Sequence, residues 1–328
     1  MISMEEKLSI VIISKDTREL IKDLLESINK DKALEAYIEE VVLVDNASAD
    51  GTDGLVKESF PNVIYIRNDD NMGFAASANK GIASSGGEYI MLLNSDTLLI
   101  EGEICKMLRF MAENQDVGIC GPQLVYPDMK LQRSFAYVPS LLFEIIPRSF
   151  LELLFPGKYS AKNSMSEIGN RKSEIGNNYD VPSLIGAAIM IRRTVLEALG
   201  GFDERFFFFL EETDLCVSAK SKGHRVVFYP GAKVIHLQGK TVGKNWVKGR
   251  IEYNISLYKF IKKHQPFFYF VVFVSLRLMK SLVFLIIYSI LSLFLSNSRP
   301  RRTCKYYLQL FLWHLRGCPE NAGLRRNA

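Results

Sequence analysis

Short apolar runs alternate with amphipathic helical segments over the first 120 residues, and this alternation constrains the fold more than any other feature. Leu8–Ser14 is a continuous apolar run, as expected of a buried parallel strand. The next segment, Thr17–Asn29, places its leucines and isoleucines on one helical face. Further predicted strands cover 41–44, 63–67, 89–93 and 117–120, and further predicted helices cover 54–59, 74–84 and 103–113. Such repeats form right-handed crossovers, so the sequence predicts an α/β fold, Rossmann-like, with a mostly parallel sheet and helices on both faces.

Polar side chains follow three of the predicted strands at their carboxyl ends. Ser14 ends the first strand, Asp45 and Asn46 follow the second, and Asn94 and Asp96 follow the strand at 89–93. Ligands bind at this edge of open α/β sheets. Aspartate also favours strand-to-helix turns, so either acid alone could be a cap. Two acids at equivalent positions favour a ligand site.

Composition excludes some classes of partner. The chain has 328 residues and a net charge of +5, with no long basic run in its first half, so nucleic acid is not an expected partner. Its five cysteines lack metal-ligand spacing and are typical of reduced thiols. The first residues do not resemble a secretory signal, so we expect the catalytic part to be cytoplasmic.

The strand–helix pattern breaks between residues 126 and 180. Four prolines and a polar near-repeat at 166–177 predict a variable insert or lid there. The pattern resumes with an apolar strand at Leu184–Arg192 and a helix at 193–199. We therefore divide the chain into an α/β domain at 1–245, with 126–180 as its insert, and a C-terminal helical region at 246–328.

A cluster of acids follows four consecutive phenylalanines at 206–209. Glu211, Glu212 and Asp214 could simply open a helix, where acids suit the macrodipole. Carboxylates beside an apolar wall are also expected to have a raised pKa, as a base working near neutral pH requires. His236 ends an apolar run downstream and is either a ligand or a core histidine.

The loop after the first strand bears on phosphate binding. Ser14–Thr17 contains no glycine, which disfavours both GxGxxG and GxxxxGK[ST] phosphate loops. A diphosphate would then need a metal ion held on oxygen ligands. Asp96, with Asn94 two residues before it, suits such a site. Residue chemistry therefore suggests a nucleoside diphosphate ligand with a divalent cation.

Several segments carry a family resemblance through their order along the chain. They are SIVII at 9–13, VDNASADGT at 44–52, NMGFAASAN at 71–79, LNSDT at 93–97, GAAIMIR at 186–192, GFDERF at 201–206, EETDL at 211–215 and VIH at 234–236. Together they resemble the family 2 glycosyltransferases with the GT-A fold, in the branch that includes bacterial rhamnosyltransferases. The resemblance covers roughly residues 8 to 242, and it is the order of the segments that makes it specific.

The resemblance implies roles for the matching residues. Asp45 corresponds to the acid that contacts the base and ribose of the donor nucleotide. Asp96 corresponds to the last acid of the DxD metal motif, whose first position is Asn94 here, and His236 to a histidine near the metal and diphosphate. The other residues expected in the donor site are Ser14, Asn46, Asn71, Gly73 and Gly186.

The family's Glu-Asp pair corresponds to Glu211–Glu212. Glu212 thus holds the place of the catalytic base, with one methylene more than aspartate, and Glu211 and Asp214 remain alternatives. The implied reaction is a single inverting displacement, in which the base takes the proton of the acceptor hydroxyl. Mn²⁺ or Mg²⁺ on Asp96 would neutralise the departing nucleoside diphosphate.

Three basic residues could add positive charge near that leaving group, or could equally form surface ion pairs. They are Arg192, Lys240 and Lys244.

The C-terminal region contains a long apolar run at 267–295, which Arg277 and Lys280 interrupt. The longest charge-free stretch, 281–298, is close to the length of about 20 residues that a transmembrane helix requires. Basic clusters flank both sides, which a re-entrant or interfacial helix would keep in the cytoplasm and a single span would not. We expect 266–302 to associate with a membrane surface. The alternatives are a buried appendage and the interface of a homo-oligomer.

The sequence therefore predicts an inverting, metal-dependent glycosyltransferase at the cytoplasmic face of the cell membrane. The best donor is dTDP-rhamnose, and the acceptor is a hydroxyl of a lipid-linked surface glycan. Two alternatives stay open. One is a non-catalytic sugar-nucleotide-binding or scaffold protein, and the other is a nucleotidyltransferase that uses the same sheet edge.

Overall fold

The computed structural model describes residues 7–146, 150, 151, 153, 179–237, 246–294 and 298–324. The described residues of 1–138 and 174–243 form one compact unit, and those of 139–173 and 244–328 form a second. The near-repeat at 166–177, predicted as part of a lid, lies outside the described residues.

A mixed sheet of nine strands forms the centre of the first unit. Its strands are β1 (Leu8–Ser14), β2 (Ile38–Asp45), β3 (Ile64–Arg67), β4 (Tyr89–Asn94), β5 (Thr97–Leu99), β6 (Val117–Val125), β8 (Tyr179–Asp180), β10 (Ala188–Arg192) and β11 (Arg225–His236). The order is β3-β2-β1-β4-β10-β6-β11-β5, and β8 pairs with β11. A separate two-stranded sheet pairs β7 (Phe135–Ala136) with β9 (Ser183–Leu184).

Helices cover both faces of the large sheet, as predicted. They are α1 (Arg18–Lys30), α2 (Lys32–Glu35), α3 (Thr52–Ser59), α4 (Phe74–Ala83), α5 (Glu103–Glu113), α7 (Arg193–Leu199) and α8 (Glu211–Ser221). The helix α6 (Leu141–Ile145) belongs to the second unit. The α/β architecture with the GT-A arrangement is thereby confirmed.

The strand β1 is buried on both faces, and its parallel pairing brings the carboxyl ends of its neighbours together. Leu8, Ile10 and Ile12 are fully buried, and so is Val11 on the opposite face. The strand is parallel to both β2 and β4, with Ser14 opposite Asp45 and Ile13 opposite Asn94. The polar residues after these strands therefore share one edge of the sheet, as the sequence predicted.

The predicted strand at 184–192 is divided in the structure, whereas those at 41–44 and 117–120 are longer than predicted. The apolar run at 184–192 is not one strand: β9 ends at Leu184, β10 begins at Ala188, and residues 185–187 lie between them. Conversely, β11 continues from Arg225 to His236, past a register shift after Tyr229. Antiparallel pairing of β11 with the unpredicted β5 sets His236 opposite Thr97, next to Asp96.

The second unit is helical. Besides α6 it contains α9 (Trp246–His264), α10 (Phe267–Phe294), α11 (Ser298–Leu315) and a short 3₁₀ turn at Glu320–Ala322. Ring stacking of Phe284 on Tyr307 at 5.1 Å, and the approach of Ser289 Oγ to Cys304 Sγ at 3.4 Å, make α10 and α11 an antiparallel pair.

The helix α10 carries most of the apolar run. Among the described residues it is the one helix long and apolar enough to cross a membrane, judged by length and composition alone. Only 11% of its most apolar window, with a mean hydropathy of 2.3, is buried. Both basic residues that interrupt the run contact Glu144 of α6, Arg277 at 2.5 Å and Lys280 at 3.3 Å. One carboxylate thus offsets both charges inside this unit.

Candidate active site

Asp45, at the end of β2, is fully buried and engaged on both carboxylate oxygens. Its Oδ1 accepts from the backbone N–H of Ser48 at 3.1 Å and from the Ser48 hydroxyl. Its Oδ2 accepts from Tyr65 Oη at 2.6 Å and from Arg67 Nη1 at 3.2 Å. Burial, and then the hydrogen bond to Asp45, raise the pKa of Tyr65, which keeps that phenol protonated as a donor. Asp45 therefore holds the ends of β2 and β3 together.

Asn46 organises the loop before α4. Its Oδ1 accepts from Asn68 Nδ2 at 3.0 Å and from Ser77 Oγ at 2.7 Å, and its Nδ2 donates to the carbonyl of Gly73 at 3.3 Å. Asn71 is exposed, and its Oδ1 accepts from the Gly73 N–H at 3.0 Å.

Gly73 joins this loop to the phenylalanine run. It has φ +82°, and a Cβ atom there would lie 2.4 Å from the carbonyl oxygen of Phe207. The next residue, Phe74, donates its N–H to that same oxygen at 2.8 Å. A larger residue at position 73 would break this contact, so glycine is required by both conformation and space.

The β1 loop is tied to the β2 loop. Ser14 is buried, with its Oγ 3.0 Å from Thr17 Oγ1. Lys15 Nζ donates to the carbonyl of Ala47 at 2.5 Å, and the Asp16 N–H donates to Ser48 Oγ at 2.8 Å. Asp16 and Ala47 both have positive φ, 50° and 56°, a strained conformation for non-glycine residues that is common at functional sites.

Asp96, between β4 and β5, lies next to His236 at the end of β11. Asp96 Oδ1 lies 3.5 Å from His236 Nε2, and both side chains are largely buried. The opposite ring nitrogen, Nδ1, lies 3.0 Å from Oε1 of Gln132. A cation about 2.1 Å from each of two ligand atoms separates them by roughly 3 to 3.5 Å. The Asp96–His236 pair therefore has the spacing and the chemistry of two ligands of one divalent ion.

Asn94 precedes this pair at the end of β4. Its backbone N–H donates to the carbonyl of Ala187 at 2.9 Å, which joins the end of β4 to the break before β10. Thr97 Oγ1 in turn donates to the carbonyl of Asn94 at 2.7 Å. Within the described residues, no cluster of three or more His, Cys, Asp or Glu side chains could hold a metal ion. A cation at Asp96 and His236 would therefore need further ligands from substrate or water.

The acids of α8 follow a strained turn. Phe209 and Leu210 have φ 73° and 64°, a left-handed pair without glycine directly before Glu211. Glu211 and Asp214 are buried, whereas Glu212 is partly exposed. A strained backbone of this kind persists only where contacts with the surrounding structure hold it in place.

Glu212 combines access with a shifted pKa. Burial raises the pKa of its carboxyl to about 7, against smaller lowering by the N–H groups of Glu212 and Thr213. Its stem packs against Gly186, where a Cβ atom would lie 3.3 Å from Glu212 Cγ. The break between β9 and β10 thus makes room for this side chain. Glu212 therefore combines the partial exposure and the raised pKa that a general base needs.

These contacts link the predicted site residues into one strip. Asn46 contacts Gly73, Gly73 lies against Phe207 before α8, Glu212 packs on Gly186, and Ala187 is bonded to Asn94 beside Asp96.

One predicted contributor does not belong to the strip. Arg192 pairs with Tyr89, the first residue of β4, and donates to the Tyr89 hydroxyl at 3.0 Å and to the carbonyl of Met111 at 2.8 Å. The antiparallel direction of β10 carries it to the opposite end of the sheet, so a role for Arg192 at the leaving group is wrong. Lys240 and Lys244 lie outside the described residues.

Sequence reasoning missed several side chains that support the site. Tyr65, Arg67 and Ser48 hold Asp45, and Gln132 holds His236. Arg67 ends a predicted strand, so its place at the edge could have been found by the same rule that found Asp45. Gln132 lies in the region assigned to the insert, where the sequence has no regular pattern.

The order of the mixed sheet and the helices on both of its faces define the GT-A fold. Residues 9–200 match glycosyl transferase family 2, and the chain belongs to this family.

Curated relatives and solved structures agree with this assignment. The N-acetylglucosaminyl-diphospho-decaprenol L-rhamnosyltransferase of Mycobacterium tuberculosis is 25% identical over 67% of this chain and 74% of its own length. The O-antigen biosynthesis protein RfbC of Myxococcus xanthus is 24% identical over 70% of this chain but only 17% of its own length. A mannosyltransferase from Pyrobaculum calidifontis, solved in complex with GDP-Man and Mn²⁺, superposes with a TM-score of 0.56 at 16% identity, over 94% of this chain and 87% of that chain. The last of these shows the fold alone.

Proposed function

We propose that this glycosyltransferase is an inverting enzyme that uses Glu212 as its base. The observation that carries the proposal is the partly exposed residue Glu212, whose carboxyl pKa is raised to about 7, on the same strip as the Asp96–His236 pair. A base with that pKa is deprotonated in a large fraction of molecules at neutral pH and still accepts a proton readily. Glu211 and Asp214 are less suited because both are buried.

We propose a role for each of the residues along the strip. Glu212 takes the proton of the acceptor hydroxyl as that oxygen attacks the anomeric carbon, and a single displacement of this kind inverts the configuration. Because Gly186 has no side chain, there is space for the glutamate side chain, which is one methylene longer than that of aspartate. Asn71, Gly73 and the strained β1 and β2 loops would supply backbone and amide groups to the donor.

Asp96 and His236 would hold a divalent cation, Mn²⁺ or Mg²⁺. The mannosyltransferase neighbour was solved with Mn²⁺, and the separation of 3.5 Å between Asp96 Oδ1 and His236 Nε2 suits a shared ion. When bound, such a cation supplies positive charge to the departing diphosphate. We propose that Asn94, beside this pair, contacts the donor, because its amide carries no charge to act as an acidic ligand.

The donor and acceptor are proposed from the relatives. The mycobacterial relative is named as an L-rhamnosyltransferase acting on a diphospho-decaprenol lipid, and the myxococcal one as an O-antigen biosynthesis protein. We propose dTDP-rhamnose as the donor and a lipid-linked surface glycan as the acceptor.

The second unit is proposed to lie on the cytoplasmic face of the cell membrane. The exposed apolar residues of α10 include Leu282, Ile286 and Ile290. The neighbouring helix α11 carries exposed Arg301 and Arg302, which suit an anionic lipid surface. An interfacial position agrees with Arg277 and Lys280, whose charges interrupt the apolar run of α10.

The donor assignment is tested by thermal shift and by release of nucleoside diphosphate, with UDP-, GDP- and dTDP-sugars in the presence of Mn²⁺. We expect dTDP-rhamnose to raise the melting temperature most. Asp96→Ala should remove metal-dependent release, and unchanged turnover in that variant would contradict the metal role. Preference for another sugar nucleotide would leave the enzyme class intact and correct the donor.

The membrane assignment is tested by flotation of the full chain with vesicles of anionic and of neutral phospholipid. The double variant Ile286→Glu/Ile290→Glu should float less than the wild type, while Gln115→Glu, at an exposed position of the first unit, should float normally. Equal flotation of all three proteins would remove α10 from the membrane contact.

A further inference from the structure

The carboxamide of Gln132 has a single orientation in the fold. Gln132 is buried, and its Nε2 donates to the carbonyl of His236 at 2.6 Å and to the carbonyl of Val125 at 3.3 Å. A carbonyl oxygen can only accept hydrogen bonds, so the amide nitrogen must be the atom that faces these two groups. The amide oxygen, Oε1, consequently faces the imidazole of His236.

This orientation decides which imidazole nitrogen carries hydrogen. Oε1 of Gln132 lies 3.0 Å from His236 Nδ1 and can only accept, so Nδ1 must be the donor. In the neutral ring the other nitrogen, Nε2, then has no hydrogen and presents a lone pair. That lone pair lies on the side of Asp96 Oδ1, at 3.5 Å. Two acceptors that face each other in this way attract a cation.

We propose that Gln132 is the positioning residue of the metal site, because it fixes His236 as the Nδ1–H tautomer with Nε2 free to coordinate. The inference rests on the proposed function and extends it to a residue outside the family motifs of this sequence. Histidine ligands of metals generally donate their second N–H to a carbonyl or carboxylate, which fixes the tautomer and the ring plane. Here the side chain of Gln132 fixes both the tautomer and the ring plane of His236, and it also binds the backbone carbonyl of that histidine.

A second layer holds Gln132 in place. Its backbone N–H donates to the carbonyl of Leu124 at 2.8 Å, and its own carbonyl accepts from Gln123 Nε2 at 2.7 Å. The same Gln123 nitrogen donates to Ser134 Oγ at 3.0 Å. The chain after β6 is therefore anchored to that strand, and the carboxamide cannot turn away without breaking several buried hydrogen bonds.

The tautomer is measured directly by ¹⁵N NMR of the full chain labelled at histidine ring nitrogens, at pH 8.5, without metal or nucleotide. The chain has four histidines, and His236→Gln identifies the signals of residue 236. We expect His236 in the wild type to be the Nδ1–H tautomer. Observation of the Nε2–H tautomer would overturn the proposal, whatever any variant does.

Variants of Gln132 then test the consequence for metal binding. Gln132→Leu should lose the fixed tautomer and bind Mn²⁺, measured by calorimetry in the presence of dTDP, about 10- to 100-fold more weakly. Gln132→Glu keeps an acceptor for Nδ1–H but loses the donor to the carbonyl of His236, so it should retain the tautomer and bind Mn²⁺ more tightly than Gln132→Leu and more weakly than the wild type. Gln115→Leu, at an exposed position, is the matched control and should bind like the wild type.

These outcomes separate the inference from the proposed function. A folded Gln132→Leu variant with wild-type tautomer and Mn²⁺ affinity would show that Gln132 has no positioning role. If Gln132→Leu does not fold, the wild-type spectrum and Gln132→Glu still decide the question. A wild type with the Nδ1–H tautomer that binds no Mn²⁺ with any nucleoside diphosphate would contradict the proposed metal and leave the tautomer assignment standing.

Discussion

The two sides of the sheet edge use their polar groups differently. On the β1–β3 side, formed by the loops after those three strands, the side chains of Asp45 and Asn46 are engaged within the chain. The β4–α8 side is formed by Asn94–Asp96, Gly186, the first turn of α8 and His236, and there a carboxylate oxygen faces an imidazole nitrogen. Asp96 Oδ1 and His236 Nε2 are 3.5 Å apart, and Glu212 has a raised pKa of about 7.

The difference indicates that the two sides of the sheet edge have different roles. Internal hydrogen bonds on the β1–β3 side fix backbone conformations, including the positive φ of Asp16 and Ala47. A ligand there would contact backbone and side-chain groups whose positions are already fixed by these hydrogen bonds. On the β4–α8 side, groups that can take a proton or a cation are held in place by neighbours such as Gly186 and Gln132. Stability is therefore expected to depend on the first side, and chemistry on the second.

The largest effect is expected from Glu212→Gln. Removal of the base should lower the rate of sugar transfer by about 100- to 10,000-fold, while donor binding, measured by calorimetry, stays near the wild-type value. In the wild type the rate should rise with pH through about 7 and level off above it, because Glu212 must be deprotonated. Full transfer by Glu212→Gln combined with loss in Glu211→Gln or Asp214→Asn would move the base to that residue.

Asp45→Asn tests the β1–β3 side. The amide would turn a donor toward one of the donors that now bind the buried carboxylate, so unfolding in urea should require about 2 to 3 kcal/mol less free energy. The matched control is Asp128→Asn, which removes an exposed partner of Lys130 and should leave stability unchanged. If Asp45→Asn keeps full stability but loses donor affinity, Asp45 contacts the nucleotide directly, and the comparison between the two sides is wrong.

Gly186→Ala tests the space beside the base. The new methyl would lie 3.3 Å from Glu212 Cγ and displace that side chain by a few tenths of an ångström, which should lower transfer roughly tenfold. Gly54→Ala is the control because a Cβ atom there meets nothing within 4 Å. Unchanged transfer by Gly186→Ala would show that the position of Glu212 tolerates such a shift.

The smallest effect concerns stability and pH. The pKa of Glu212 is raised in the folded chain from 4.5 to about 7, so its contribution to stability is present below pH 4.5 and is lost as the pH rises through 7. Glu212→Gln should therefore melt a few degrees above the wild type at pH 8, with a smaller difference at pH 5. Equal differences at both pH values would show that the carboxyl is not perturbed.

Much of the large sheet and of the helices in its first half could be predicted because these elements follow a periodic pattern. The bounds of β1 and α5 match the predicted ones, and the acids after β2 and β4 share an edge because parallel strands end together. The break at 185–187 could not be predicted, since its apolar residues continue the pattern of the strand on either side. The role predicted for Arg192 was wrong for a related reason. The sequence does not reveal that β10 is antiparallel to β4, and strand direction decides at which end of the sheet a residue lies.

The β4–α8 side depends on contacts that leave no pattern in the sequence. Phe209 and Leu210 adopt a left-handed conformation that glycine would signal and phenylalanine or leucine does not. Gln132 contacts a histidine 104 positions away. Which of the three acids is accessible is set by the turn before α8 and by Gly186.

The ion pairs of Glu144 with Arg277 and Lys280 have a consequence for exchanging parts between related enzymes. The helix α6 and the C-terminal helices form one unit although more than 100 positions separate them in the chain. A chimera that received only the C-terminal helices would carry two cations without their carboxylate. A transplant should therefore move both segments together, and these two stretches of sequence should change in concert as such enzymes diverge.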